Sequence, residues 1–110
     1  MTWELPKTRH MVPTKWGWIV AYPENFKLGY NTDIGCFTYI QAEFGVEIGY
    51  GTYIGAGCAI YSKDTESKRP KIITGKVVIG KNVNIGAHCL ILPGVTIPDG
   101  VKIPAKSIVK

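Results

Sequence analysis

The stretch IGKNVNIGAHCLILPGVTIPDGVKIPAKSIV, residues 79–109, places an aliphatic residue at every sixth position. Ile79, Ile85, Ile91, Ile97, Ile103 and Val109 keep this interval without a slip, and Val83, Cys89, Val95, Val101 and Ser107 stand four residues after successive anchors. A period of six suits neither a helix, at about 3.6 residues per turn, nor a long strand of period two; it suits a short strand and a tight turn, repeated. The anchor and the residue four later share one side of the pleat, so both point inward. Three such strands close a triangular coil, and residues eighteen apart, such as Ile85 and Ile103, stack in successive coils. Each buried isoleucine then contributes roughly 2 kcal/mol.

Outward from this stretch the same frame continues with interruptions. Leu28, Ile34 and Ile40 keep the six-residue interval, a step of eight leads to Ile48, and Ile54 and Ile60 follow in register. Two residues are added near Glu43 to Gly45. From Ile60 to Ile79 there are nineteen residues, and the intervening YSKDTESKRPK, residues 61–71, has no anchors. It reads as a polar loop that leaves the frame and returns. Glycines after the anchors, as in Ile34-Gly35, Ile48-Gly49 and Ile85-Gly86, read as turn positions. An antiparallel sandwich with accidental spacing would also be all-β, but it does not account for six anchors in one register.

Residues 1–22 precede the clean repeat and contain Trp3, Trp16 and Trp18, with Pro6 and Pro13 excluding a helix. They read as an N-terminal cap or arm whose aromatics cover the first coil or a neighbouring subunit, or stack on a sugar. Residues 23–110 form the repeat, so the chain is a single domain with a capping arm. It stops within the repeat frame at Lys110, which leaves the last coil's edge to be covered by a partner, a ligand or charge.

Lysine and arginine outnumber aspartate and glutamate by 13 to 8, a net charge of +5. That balance favours anionic ligands, but the basic residues are scattered apart from Lys68, Arg69 and Lys71, so no nucleic-acid partner is expected. The three cysteines, Cys36, Cys58 and Cys89, fit neither a disulfide framework nor a zinc ribbon. Met1 to Arg9 lacks a secretion-signal pattern, and the longest apolar run, Trp16 to Tyr22, is too short to span a bilayer. A cytoplasmic protein with no membrane partner is expected.

At IGKNVNIGAHCLILPGVTIPDG, residues 79–100, the sequence resembles the hexapeptide-repeat acyltransferases, and within them the sugar and xenobiotic acetyltransferases. The resemblance runs from Leu28 to Lys110 and is most specific over Val78 to Ile97, including LPGVTI at Leu92 to Ile97. It implies an all-β fold, a left-handed parallel β-helix of hexapeptide repeats with about four triangular coils, one extruded loop and an N-terminal cap. It also implies a homotrimer with active sites between neighbouring prisms, acetyl-CoA as acyl donor and no metal. The positions that match the family's pantetheine contacts are Ala87 and Ala105, one coil apart. Lys106 and Lys110 are placed further along the same edge, facing the cofactor's phosphates. The sequence departs from the family in having Pro98 and Pro104 where glycine is common, and no histidine in the loop from Tyr61 to Lys71. Lys63 stands near that place, and a protonated lysine is a poor base.

Acetyl transfer from a thioester needs a group to take the acceptor's proton and a donor for the developing oxyanion. Two histidines are available: His10 in the arm, and His88 in IGAHCL, placed outward between the inward Ile85 and Cys89. His88 and Glu43 are the catalytic candidates, with Gln41 and Asp64 as acceptor-binding residues near the bulge and the loop. With no loop histidine, an amine on an amino sugar is the favoured acceptor, because an unprotonated amine needs less base assistance than a hydroxyl. Two other readings stand beside this one. One is a non-catalytic trimeric scaffold or degenerate relative; the other is a γ-class carbonic anhydrase, for which two histidines fall short of three zinc ligands.

Overall fold

The computed structural model describes residues 2–66 and 71–110. Within them the frame read from the sequence becomes a prism of stacked coils. The first strand is β1 (Ile19–Ala21), and coil 1 consists of β2 (Phe26–Leu28), β3 (Asp33–Ile34) and β4 (Tyr39–Gln41). Coil 2 holds β5 (Val46–Ile48), β6 (Tyr53–Ile54) and β7 (Ala59–Tyr61). A hairpin, β8 (Lys63–Glu66) and β9 (Lys71–Thr74), precedes coil 3, made of β10 (Val77–Ile79), β11 (Asn84–Ile85) and β12 (Leu90–Ile91). Coil 4 holds β13 (Thr96–Ile97), β14 (Lys102–Ile103) and β15 (Ile108–Val109).

The coils stack into three parallel sheets. Face I has the order β1-β4-β7-β12-β15, face II β2-β5-β10-β13 and face III β3-β6-β11-β14. The anchors lie in register, with Ile54, Ile85 and Ile103 in one column and Ile40, Ile60, Ile91 and Val109 in another. This is the left-handed β-helix expected from the repeat. Ile40, Ile54, Ile60, Ile85 and Ile91 are fully excluded from solvent, and Val83 and Cys89 point inward beside them. Where threonine or cysteine takes the second inward position, its polar atom is satisfied by the next coil. Thr38 Oγ1 donates to Gly55 O at 3.1 Å, Thr52 Oγ1 to Gly80 O at 2.7 Å and Cys58 Sγ to Gly86 O at 3.2 Å.

The glycines after the anchors have a different role from the one expected. A Cβ on Gly35 would stand 2.4 Å from Ala56 N, and one on Gly86 would stand 2.5 Å from Ala105 N. These glycines permit close approach of coil to coil rather than supplying a left-handed turn. The left-handed turn positions come later in each repeat, at Asn31, Gly51 and Asn82 on one edge and Phe37, Gly57, His88 and Lys106 on another.

Two boundaries also shift. The stretch 1–22 was read as lying wholly outside the repeat, but Ile19–Ala21 is already a strand of face I, paired Ile19↔Tyr39, Val20↔Ile40 and Ala21↔Gln41. Val20 is therefore an anchor, and Trp18 is buried against Phe26 at 6.0 Å between ring centroids. Polar Thr14 and the left-handed Tyr22 around it hide the hexapeptide pattern. The presumed loop 61–71 is instead the β8/β9 hairpin, antiparallel with Lys63↔Thr74 and Glu66↔Lys71. Residues 67–70, including Lys68 and Arg69 of the basic cluster, lie outside the described residues.

One regularity positions everything that follows. From face II to face III, and from face III to face I, every coil advances six residues. From face I to face II the step is eight at Val20–Leu28 and at Ile40–Ile48, nineteen at Ile60–Ile79, and six only at Ile91–Ile97. All the additional chain thus leaves the prism along a single edge. Pro23–Asn25 forms a short 3-10 turn there, and no helix long and apolar enough to cross a membrane occurs among the described residues.

Candidate functional site

The added segments on the edge from face I to face II enclose a groove of about 550 Å³. Tyr39, Gln41 and Tyr61 project outward from β4 and β7, Glu43 comes from the eight-residue step, and Lys63 and Asp64 from the start of the hairpin. Tyr22 closes the groove on one side together with His10 and Met11 of the arm.

A hydrogen-bonded chain fixes the carboxylate of Glu43. Gln41 Nε2 donates to Glu43 Oε1 at 3.1 Å, and Lys63 Nζ reaches the same oxygen at 3.4 Å. Gln41 is held in turn, because its Oε1 accepts from the Glu43 backbone N–H at 3.3 Å. The fully buried Ser62 Oγ lies 2.8 Å from both Gln41 O and Gln41 Oε1 and accepts from the Phe44 N–H at 3.0 Å. Asn25 Nδ2 donates to Glu43 O at 2.9 Å, tying the first edge segment to the second. Such preorganisation aims an acceptor carboxylate into the groove without a reorganisation cost on binding.

The phenols form the groove's apolar wall. Tyr39 and Tyr61 meet edge to face at 5.9 Å. Partial burial, then the neighbouring hydroxyls of Tyr61 and Tyr22, push the Tyr39 phenol above the ordinary tyrosine value, so it stays a hydrogen-bond donor. Beside this groove and sharing Glu43 is a second hollow lined by Glu24, Lys27, Phe44, Glu47 and Lys76. There Lys76 pairs with Glu47, and that hydrogen bond holds the Glu47 carboxyl below its usual value.

Of the residues singled out from sequence, Gln41, Glu43 and Asp64 are brought together here, with Lys63. His88 is not. It occupies the left-handed turn of coil 3 on the edge from face III to face I, with φ 57° and an exposed ring lying over Gly57. Ala87 and Ala105 are stacked neighbours on that edge, where the Lys106 N–H donates to Ala87 O at 2.9 Å. Lys106 lies there too, but Lys110 does not share its edge, because β15 on face I separates them. Face I thus stands between the two groups within one chain. His10 and His88 are likewise apart, and no three of His, Cys, Asp and Glu cluster among the described residues.

His10 and Tyr22 were not recognised from sequence as groove residues. The repeated step of eight from Val20 and from Ile40 was a signal for Tyr22. His10 had none, since it reaches the edge through a long-range contact, the Met11 N–H donating to Val20 O at 3.0 Å.

A prism of this kind, with its excess chain gathered on one edge, defines a hexapeptide-repeat left-handed β-helix protein. Residues 76–109 match the family described as hexapeptide repeat of succinyl-transferase. Nodulation protein L of Rhizobium meliloti (strain 1021) is 36% identical, the alignment covering 73% of this chain and 50% of that protein. Nodulation protein L of Rhizobium leguminosarum bv. viciae is also 36% identical, over 73% of this chain and 48% of its own length. The chain therefore spans about half the length of these relatives. Among solved structures, a hexapeptide-repeat-containing acetyltransferase of Vibrio cholerae O1 biovar eltor, complexed with acetyl coenzyme A, superposes with a TM-score of 0.78 at 23% identity. That match covers 84% of this chain and 54% of the other. AntD, an N-acyltransferase from Bacillus cereus in complex with dTDP and 3-hydroxybutyryl-CoA, gives 0.67 at 25% identity, covering 88% and 68%. These likenesses place the chain among the hexapeptide-repeat β-helix proteins, in the company of acyltransferases.

Proposed function

We propose that this chain forms the core of an acetyl-CoA-dependent acyltransferase that acts in the cytoplasm on a sugar-like acceptor, with the amine of an amino sugar favoured over a hydroxyl. The observation that carries this reading is the Glu43 carboxylate, held by Gln41 and Lys63 beside Asp64 and three phenols in one open groove. Carboxylates and phenols in such a groove suit a polyhydroxylated or cationic acceptor. AntD, an N-acyltransferase solved with dTDP-4-amino-4,6-dideoxyglucose and coenzyme A, supports an amine acceptor by likeness, at 27% identity and a TM-score of 0.56.

In the transfer, the amine nitrogen attacks the thioester carbonyl, the C–N bond forms and the C–S bond breaks. The amine's proton passes to Glu43 and coenzyme A leaves as the thiol once protonated. Acetyl-CoA lies along the other edge, its thin pantetheine arm against the backbone at Ala87 and Ala105, with Lys106 and Lys110 toward its phosphates. His88 beside Ala87 serves as a second proton acceptor or as a donor to the oxyanion.

These groups join in a homotrimer. The outward residues of face I are Ile19, Tyr39, Ala59, Leu90 and Ile108, apolar or aromatic on every coil, whereas Asp33, Tyr53, Asn84 and Lys102 occupy face III. Packing at face I brings the His88 edge of one protomer toward the Glu43 edge of the next. The three cysteines are unpaired, consistent with a reducing compartment.

Calorimetry with acetyl-CoA, followed by thiol-release assays over amino sugars and their hydroxyl counterparts, tests the reading. Saturable binding and turnover with amines are expected. No binding at millimolar acetyl-CoA would leave a non-catalytic scaffold.

A further inference from the structure

The arm carries a histidine whose protonation is dictated by its neighbour. The backbone N–H of Tyr22 donates to His10 Nδ1 at 2.9 Å. An N–H cannot point at another N–H, so Nδ1 carries no proton and the single ring proton sits on Nε2. The ring is fixed a second time by its edge-to-face contact with Tyr22, 4.8 Å between centroids. No described residue bonds Nε2, although His10 lines the groove that holds Glu43, Lys63 and Asp64.

The chemistry around it is one-sided. Glu43 and Asp64 present acceptors, and the Lys63 ammonium is engaged with Glu43. Among the imidazole and charged groups that line the groove, His10 Nε2–H is therefore the donor not already committed to Glu43. We infer that His10 binds the acceptor substrate by donating Nε2–H to one of its oxygens, while the carboxylates take the amine. The acceptor class this selects is an amino alcohol, an amine with a nearby hydroxyl, as amino sugars present. The inference rests on the acyl-transfer reading for the identity of the reaction, but the tautomer and the contact are properties of the groove itself.

Imidazole-nitrogen NMR on the full chain and acetyl-transfer kinetics test it together, with glucosamine and cyclohexylamine as probes. The His10 signals should show the proton on Nε2, and glucosamine, but not the hydroxyl-free cyclohexylamine, should shift the Nε2 signal. His10→Asn keeps an oxygen where Nδ1 accepts from Tyr22 but removes the donor. It should raise the glucosamine KM about tenfold, leaving the cyclohexylamine and acetyl-CoA KM values unchanged. His10→Gln, which restores an N–H near the Nε2 position, should recover part of the loss. A proton found on Nδ1, or a His10→Asn chain with unaltered glucosamine KM, would overturn the assignment. If the wild-type chain acetylates no amine while glucosamine still shifts Nε2, the reaction is wrong and the binding role stands. If neither occurs, both fall.

Discussion

Gly57 lies directly against the His88 imidazole: a Cβ at position 57 would stand 2.6 Å from both Nδ1 and Cε1 of the ring. Gly57 also has φ +70°, in the left-handed region. Gly57→Ala should therefore cost about 1–2 kcal/mol in denaturant unfolding and displace the ring. If His88 serves the transfer, the kcat losses of Gly57→Ala and His88→Ala should not add in the double variant.

The depth of the anchor column sets a gradient of stability. Ile85 is fully buried between Ile54 and Ile103, whereas Ile103 is half-buried. Ile85→Ala should lose about 2–5 kcal/mol, and Ile103→Ala less than about 2 kcal/mol, by chemical denaturation at a fixed protein concentration.

Ser62 holds the site from beneath. Removing its hydroxyl leaves the Phe44 N–H without its acceptor and frees the Gln41 amide. Ser62→Ala should cost about 1–3 kcal/mol. It should also raise the amine KM, since Gln41 no longer fixes Glu43.

Tyr39 gives the fold an alkaline limit. Partial burial first, then the Tyr61 and Tyr22 hydroxyls, raise its phenol above the unfolded value. A group raised on folding supports the fold fully below its unfolded value, about 10 for tyrosine, and loses that support as the pH rises through the folded value. Thermal melts of the wild-type chain should therefore fall more steeply above about pH 10 than those of Tyr39→Phe.

The prism was legible because inward residues recur with a fixed spacing, and the register Ile85↔Ile103 follows from counting alone. Val20 escaped notice because Thr14 and the aromatic residues around it break the six-residue pattern before the frame starts. The glycine positions were seen but misread, since a sequence shows where a side chain is absent and not which backbone fills the space. Gln41, Glu43 and Asp64 were legible as a group because each flanks an interruption of the repeat. His10 was not, because its place depends on the arm folding back through Met11 and Val20, a pairing that no local pattern encodes.

The single edge that takes all the extra chain has a broader consequence. Hydrogen bonds between coils run along the prism, so a detour at one corner leaves the ladders on all three faces intact, at the modest entropic cost of a longer loop. The edge behaves as a socket separable from the barrel-like body that bears it. Segments of other lengths exchanged for 42–45 or 62–76 should retool which molecules are recognised while the body's unfolding cooperativity stays the same. Chemistry and architecture in this chain are thus open to independent variation.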